Sequence, residues 1–230
     1  MKRKVGVVLS GCGFLDGAEI REAVLTLLAL DSHDLEAVCV APDRDQLHVV
    51  DHLRGEPVSD EVRNVRVEAA RIARGDVLDL AEVHADDLDA IVLPGGFGMA
   101  KNCSDFASKG AEATVDPELA GLLRAMHAAG KPIGAICIAP AVVAAVLGEA
   151  AHPVLTIGND AGTAAALEAM GAHHHDTPVD TPVIDQQNRI VSVAAYMYDA
   201  RLKDVSAGIH KLVHSLVQLL DGTTAVRTCR

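Results

Sequence analysis

The chain has 230 residues, enough for one α/β domain spanning 1–230. Half of them are hydrophobic, but only 2% are aromatic and none is Trp, so the core falls to Val, Leu, Ile and Ala. A formal net charge of -12, with no basic stripe interleaved with aromatics, argues against nucleic acid as a partner. The apolar run Val5 to Leu9 is too short for a signal peptide or a membrane span, and Cys12, Cys39, Cys103, Cys137 and Cys229 are scattered, odd in number and without a Cys-x-x-Cys pair. A cytoplasmic chain with neither disulfide framework nor zinc knuckle is expected.

In chain order, Lys4 to Leu9 is a β-branched run that stops at Gly11-Cys12-Gly13. From Asp16 the apolar spacing becomes helical through Ile20, Ala23, Val24, Leu27 and Leu28. Asp16-x-x-Glu19 predicts a capping box at the start of that helix. Leu35 to Val40 predicts a strand, Asp60 to Arg74 an amphipathic helix, and Ala90 to Leu93 a buried strand before Pro94-Gly95-Gly96. The helix at Pro117 to Ala129 closes at Gly130. Pro132 to Ile136 predicts a strand, Pro140 to Leu147 a helix, Val154 to Ile157 a strand, and Thr163 to Met170 a helix ended by Gly171. Val183 to Val193 reads as a hairpin turning at Gln186 to Asn188, and Asp199 to Leu220 as a long closing helix. Such alternation predicts a doubly wound, mainly parallel sheet with reactive groups at the carboxyl ends of its strands.

Gly134-Ala135-Ile136-Cys137-Ile138-Ala139-Pro140 puts a cysteine where a buried strand turns into a helix, with Ala135 and Ala139 small enough for the sharp bend of a nucleophile elbow. Free N–H groups and the dipole at a helix start favour a thiolate there. The plain alternative is a buried structural cysteine; the elbow favours the nucleophile. Leu93-Pro94-Gly95-Gly96-Phe97-Gly98 follows another strand, and its glycines let backbone N–H groups approach an oxyanion.

Several spaced motifs together carry a resemblance. Gly11-Cys12-Gly13 with Asp16-Gly17-Ala18-Glu19-Ile20, Pro94-Gly95-Gly96-Phe97-Gly98 with Lys101-Asn102, Phe106-Ala107, Lys131-Pro132-Ile133-Gly134, Cys137-Ile138-Ala139-Pro140 and Thr156-Ile157-Gly158 resemble the ElbB proteins of the ThiJ/PfpI superfamily, nearly end to end. The resemblance implies a flavodoxin-like domain, a homodimer, an elbow cysteine with a nearby glutamate, and a glyoxalase activity that needs no glutathione. It also brings an association with isoprenoid biosynthesis that no residue here explains. Laid on the superfamily motif, Glu22 takes the place of the glutamate. The glycine loop and the elbow make Gly95, Gly96 and Ile138 the expected oxyanion contacts, with Glu19, Asn102 and Cys12 as secondary site candidates; Cys12, at a strand end near the same crevice, reads first as a packing residue.

The chain departs from many relatives in lacking a histidine about twenty residues beyond the cysteine, where it reads Thr156-Ile157-Gly158-Asn159-Asp160. Protease or glutaminase chemistry, which needs imidazole to protonate a leaving amine, is therefore disfavoured. His152, the nearest, precedes Pro153 and reads as a loop residue. An aldehyde needs less help. A thiolate adds to it directly, and one carboxyl with a raised pKa suffices to move a proton between adjacent carbons. A redox-responsive or accessory protein using the same cysteine without turnover is the alternative.

Other signals point away from cofactors and metals. Asp16 stands where a dinucleotide fingerprint needs its third glycine. His48 and His52, spaced for one helix face, lack the glutamate-led pattern of a zinc protease. His173-His174-His175 reads as a polar strand or loop. Arg63, Arg66, Arg71 and Arg74 read as a solvated helix face with Glu68. The expected partner is a small aldehyde.

Overall fold

The computed structural model describes residues 2–222, which leaves Cys229 outside. In chain order it forms β1 (Lys4–Val8), α1 (Ile20–Ser32), β2 (Glu36–Ala41), a ribbon of β3 (Val50–Asp51) and β4 (Glu56–Pro57), α2 (Val65–Ile72), β5 (Leu78–Asp79) and β6 (Ala90–Leu93). Then come α3 (Phe97–Lys101), α4 (Phe106–Lys109), α5 (Pro117–Ala128), β7 (Ile133–Ile136), α6 (Ala139–Ala151), β8 (Val154–Leu155), α7 (Ala161–Ala169), β9 (His173–His174), β10 (Val183–Asp185), β11 (Ile190–Val193) and α8 (Leu202–Leu220).

Seven strands make one sheet in the order β10-β11-β7-β6-β1-β2-β5. All neighbours run parallel except the β10–β11 hairpin. Because helices cover both faces, the central strands have no solvent side. Ala90 to Leu93 and Ile133 to Ile136 are buried at every position, which is why they read as continuous apolar runs. Alternation still sorts the side chains. Val5, Val7 and Leu9 join the layer built with Ala23, Leu30, Ile209, Leu212 and Leu216 of α1 and α8, whereas Val8 joins the opposite layer with Leu119, Leu123 and Val143 of α5 and α6. The flavodoxin-like, mainly parallel architecture expected from the sequence is the one present.

Five local expectations are corrected. The helix expected from Asp60 begins only at Val65. Residues 63–65 pair with the preceding loop through Gln46 N–H to Arg63 O (2.7 Å) and Val65 N–H to Arg44 O (2.8 Å), and Asn64 then caps the helix by accepting Val67 N–H. Its Glu68 is buried rather than solvated, held by Arg71 (2.8 Å) and Arg63 (3.7 Å). Val154 to Ile157 does not extend the main sheet: only Val154–Leu155 is strand, and it pairs with His173–His174 in a separate ribbon. His48 and His52 lie in a loop and a turn beside the β3–β4 ribbon and share no helix face. Finally, Asp16 does not cap α1, because it accepts Val50 N–H (2.8 Å) instead. Glu19 is itself the cap residue, its carboxylate accepting Glu22 N–H (2.7 Å).

Candidate active site

β7 ends one residue before Cys137, whose N–H still donates to Val193 O on β11 (2.9 Å). The chain then turns at once into α6, and Cys137 takes φ +61°, a left-handed conformation that costs a residue with a Cβ about 1 kcal/mol or more. Fully buried Ala135 and Ala139 flank the bend. This is the nucleophile elbow, with the side chain raised at the carboxyl edge of the sheet and 8% exposed.

Two loops from neighbouring strands are stitched together beside it. Glu19 N–H donates to Gly95 O (2.9 Å), Phe97 N–H to Phe14 O (2.7 Å) and Gly98 N–H to Gly17 O (2.9 Å). That stitching fixes where α1 starts and turns Glu22, in its first turn, inward to complete burial. The Glu22 carboxyl accepts Gly95 N–H on Oε2 (2.9 Å) and Tyr196 N–H on Oε1 (3.2 Å). It also shares a hydrogen bond with the Cys137 thiol. Gly95 leaves no room for a side chain: a Cβ there would lie 2.5 Å from Cys137 Cβ and 2.7 Å from Glu22 Oε2. Gly96 holds φ +96°, a turn that suits glycine, and directs its N–H at the sulfur together with that of Ile138.

Electrostatics at this pair run against the thiolate expected from the helix start. Burial pushes the Glu22 carboxyl up to about 8, and the neighbouring Glu19 carboxylate adds to the shift. Burial first and the Glu22 charge second push the Cys137 thiol up as well, outweighing the Gly96 and Ile138 N–H groups. The two groups titrate as one unit that gives up its first proton above neutrality. Burial likewise pushes Cys39 up to about 11 and Cys103 to about 12.

The structure thus brings together Cys137, Glu22, Gly95, Gly96 and Ile138, with half-buried Glu19 at the rim. Gly95 serves the glutamate rather than an oxyanion, since its N–H is already taken. Asn102 is structural. Its amide donates to Ser10 O (2.9 Å) and Asp16 O (2.8 Å) while its oxygen accepts Leu47 N–H (3.0 Å). Cys12 faces Glu68, Arg71 and Asp16 and does not line the pocket over Cys137. His152 closes α6 in a left-handed conformation with its ring centroid 6.2 Å from that of His173, also outside the pocket.

That pocket, about 420 Å³, includes residues that the sequence does not assign to the site: Phe14, Phe97, Phe106, Tyr196 and Met197, with Asp160 and Thr163 at the start of α7. A signal was available, because three Phe and two Tyr are all the Phe, Tyr and Trp residues in the chain, and Phe14 and Phe97 sit beside its glycine loops. No lining residue is a histidine. A separate hollow of about 510 Å³ between Leu80 and Ala129 contains no cysteine.

An elbow cysteine at the carboxyl edge of a parallel sheet, faced by a buried glutamate and roofed by a glycine-loop amide, defines a class of α/β cysteine proteins. The chain belongs to the DJ-1/PfpI family, which it matches over residues 12–197. It is similar to the human glutamine amidotransferase-like class 1 domain-containing protein 3, mitochondrial, at 42% identity over 225 residues, 94% of this chain and 83% of that one. It is also similar to the crystal structure of an isoprenoid biosynthesis protein with amidotransferase-like domain from Ehrlichia chaffeensis, at 44% identity and TM-score 0.90, covering 95% and 99% of the two chains. Drosophila melanogaster DJ-1beta, at 19% identity and TM-score 0.55 over 98% and 100%, shares the fold. The ElbB-type resemblance carried by the motifs is borne out.

Proposed function

We propose that the chain is a glutathione-independent glyoxalase that converts a small 2-oxoaldehyde to the 2-hydroxy acid at Cys137. The observation that carries this reading is the buried Glu22 carboxyl against the thiol, pushed up to about 8 and so able both to take and to return a proton near neutrality. In the ionised pair the Glu22 carboxylate takes the thiol proton as sulfur bonds to the aldehyde carbon, and the Gly96 and Ile138 N–H groups hold the resulting alkoxide. Glu22 then returns that proton to the oxygen, giving a hemithioacetal. Next it removes the proton from the sulfur-bearing carbon, and the electron pair passes through an enediolate. Delivery of that proton to the adjacent carbon, with the hydroxyl proton passing from the oxygen on the sulfur-bearing carbon to the neighbouring enediolate oxygen, leaves a thioester. Water cleaves the thioester to the hydroxy acid and the thiol, so oxidation at one carbon is balanced by reduction at the next and no external oxidant is needed.

The same burial disfavours the redox-responsive alternative, because peroxide oxidation runs through the thiolate. Among the described residues no helix is long and apolar enough to cross a membrane. A cytoplasmic homodimer belongs to the proposal and is checked by fractionation and sedimentation; an organellar location, the one carried in the names of the human and rat relatives, is the opposing result. The deciding experiment incubates purified protein with glyoxal in the absence of glutathione and follows glycolate. Wild type forms it and Cys137→Ser does not. Equal rates in the two, or none in wild type, overturn the reading.

A further inference from the structure

Aromatic side chains are scarce in this protein, and they are not spread evenly. All three Phe residues of the chain, Phe14, Phe97 and Phe106, line the pocket over Cys137, and Tyr196 and Met197 join them. Two of the rings are costly as they stand: Phe14 is 48% and Phe97 47% exposed, in a protein whose core is otherwise aliphatic. The pocket's 420 Å³ is far more than glyoxal, with four heavy atoms, can fill. Rings at such a rim give a flat apolar group edge and face contacts that a two-carbon dialdehyde cannot make.

Charge narrows the ligand further. Apart from the Cys137 thiol and the Tyr196 phenol, the ionisable side chains lining the pocket are the carboxyl groups of Glu19 and Asp160, and no lining residue is cationic. The two cations nearby sit against rings and are otherwise engaged. Lys101 lies 5.0 Å from the Phe97 ring centroid and donates to Leu15 O, and Arg21 lies 5.8 Å from that of Tyr196 and donates to its hydroxyl. A chain of net charge -12 adds to the repulsion of anions.

We infer that the site selects a neutral 2-oxoaldehyde bearing an aryl or similarly bulky apolar substituent over glyoxal itself, with the substituent held by Phe14, Phe97, Phe106, Tyr196 and Met197. The inference rests on the glyoxalase reading for its chemistry, which is unchanged: the aryl ketone carbon receives the proton, and the product is an aryl hydroxy acid. Its selectivity rests on the pocket alone, and remote binding energy of this kind is what raises turnover when it is realised in the transition state.

The test has two arms. In the first, kcat/KM for phenylglyoxal and for glyoxal is measured in wild type, Phe97→Ala and Phe14→Ala, two half-exposed positions where truncation leaves the core intact. The expected wild-type ratio favours phenylglyoxal by about tenfold or more, and each variant lowers that ratio several-fold. In the second arm, alkylation of Cys137 by iodoacetamide is followed by mass spectrometry with acetophenone, acetone or benzoate present. Acetophenone, neutral and unreactive, is expected to protect at concentrations where acetone and the anion do not. Where the aldehydes are turned over, the ratio decides, and a ratio near or below one, or one unmoved in both variants, overturns the inference. Where neither aldehyde is turned over, the glyoxalase reading fails and protection decides: selective protection by acetophenone sustains the inference, and equal or absent protection overturns it.

Discussion

The protonation state of the Glu22–Cys137 pair can be read from stability without any substrate. Glu22 has its folded pKa raised from 4.5 to about 8, so the folded chain holds one proton more than the unfolded chain between those values. The stability this proton confers is complete below the unfolded value and is lost as pH rises through the folded one. The slope in that window is about 1.4 kcal/mol per pH unit, so wild type should lose about 4 kcal/mol between about pH 5 and pH 8 that a non-titrating side chain does not lose. Glu22→Gln is the perturbation. Its amide offers one acceptor to the two N–H donors of Gly95 and Tyr196, which leaves one of them unpaired at a cost on the order of 1–3 kcal/mol. That offset does not change with pH and cancels in the comparison. Urea unfolding of both proteins at several pH values measures the difference, which should widen in favour of the variant as pH rises. Parallel curves would refute the reasoning, because they would mean that the pair has already released its first proton below pH 5 and rests as a thiolate beneath a carboxylic acid.

The same pair predicts that glyoxalase kcat/KM rises with pH up to about 8, and that Glu22→Gln loses about 10²-fold or more at every pH; a flat profile in wild type would contradict this. Glu19→Gln removes the carboxylate that helps hold Glu22 up, so its rate profile should shift to lower pH with modest loss of rate, while Glu19→Ala loses the α1 cap and about 1 kcal/mol in thermal unfolding. Gly95→Ala should fold but be inactive, since the added methyl falls on Cys137 and Glu22, and a crystal structure of the variant should show one of those side chains displaced. Activity should survive exhaustive chelation and dialysis and require no added glutathione, a loss restored by zinc being the contrary result.

The strands that flank the site were legible because burial on both faces leaves no polar position to break their apolar runs, and the elbow was legible because a strand-to-helix turn at Cys137 needs the small residues that surround it. Glu22 was reached through the motif resemblance rather than through periodicity. Less was legible wherever a long-range contact overrode a local pattern. Asp16-x-x-Glu19 has the spacing of a capping box, yet Asp16 is claimed by Val50, over thirty residues away, and Glu19 is left as the cap. Residues 60–64 have helical spacing, but residues 63–65 are drawn into pairing with residues 44–46 and delay the helix to Val65. β5 is two residues at a sheet edge, too short for any period. The direction of the thiol shift was misjudged for a related reason. A helix start is visible in the sequence, whereas the depth at which it is buried depends on α1 and the loop after β11.

The carboxyl of Glu22 is held by two main-chain amides rather than by side chains. Side-chain identity at residue 196 therefore has little purchase on where the acid points, so long as the backbone keeps its path. The rings of Phe14, Phe97, Phe106 and Tyr196, by contrast, belong to residues of the pocket wall, where side-chain type decides what is touched. The placing of the acid and the selectivity of the wall are written in different features of the same residues, one in backbone course and the other in side-chain type. Relatives can therefore diverge in what they admit while keeping the reaction they perform, and an engineer can repaint the rim without touching the chemistry.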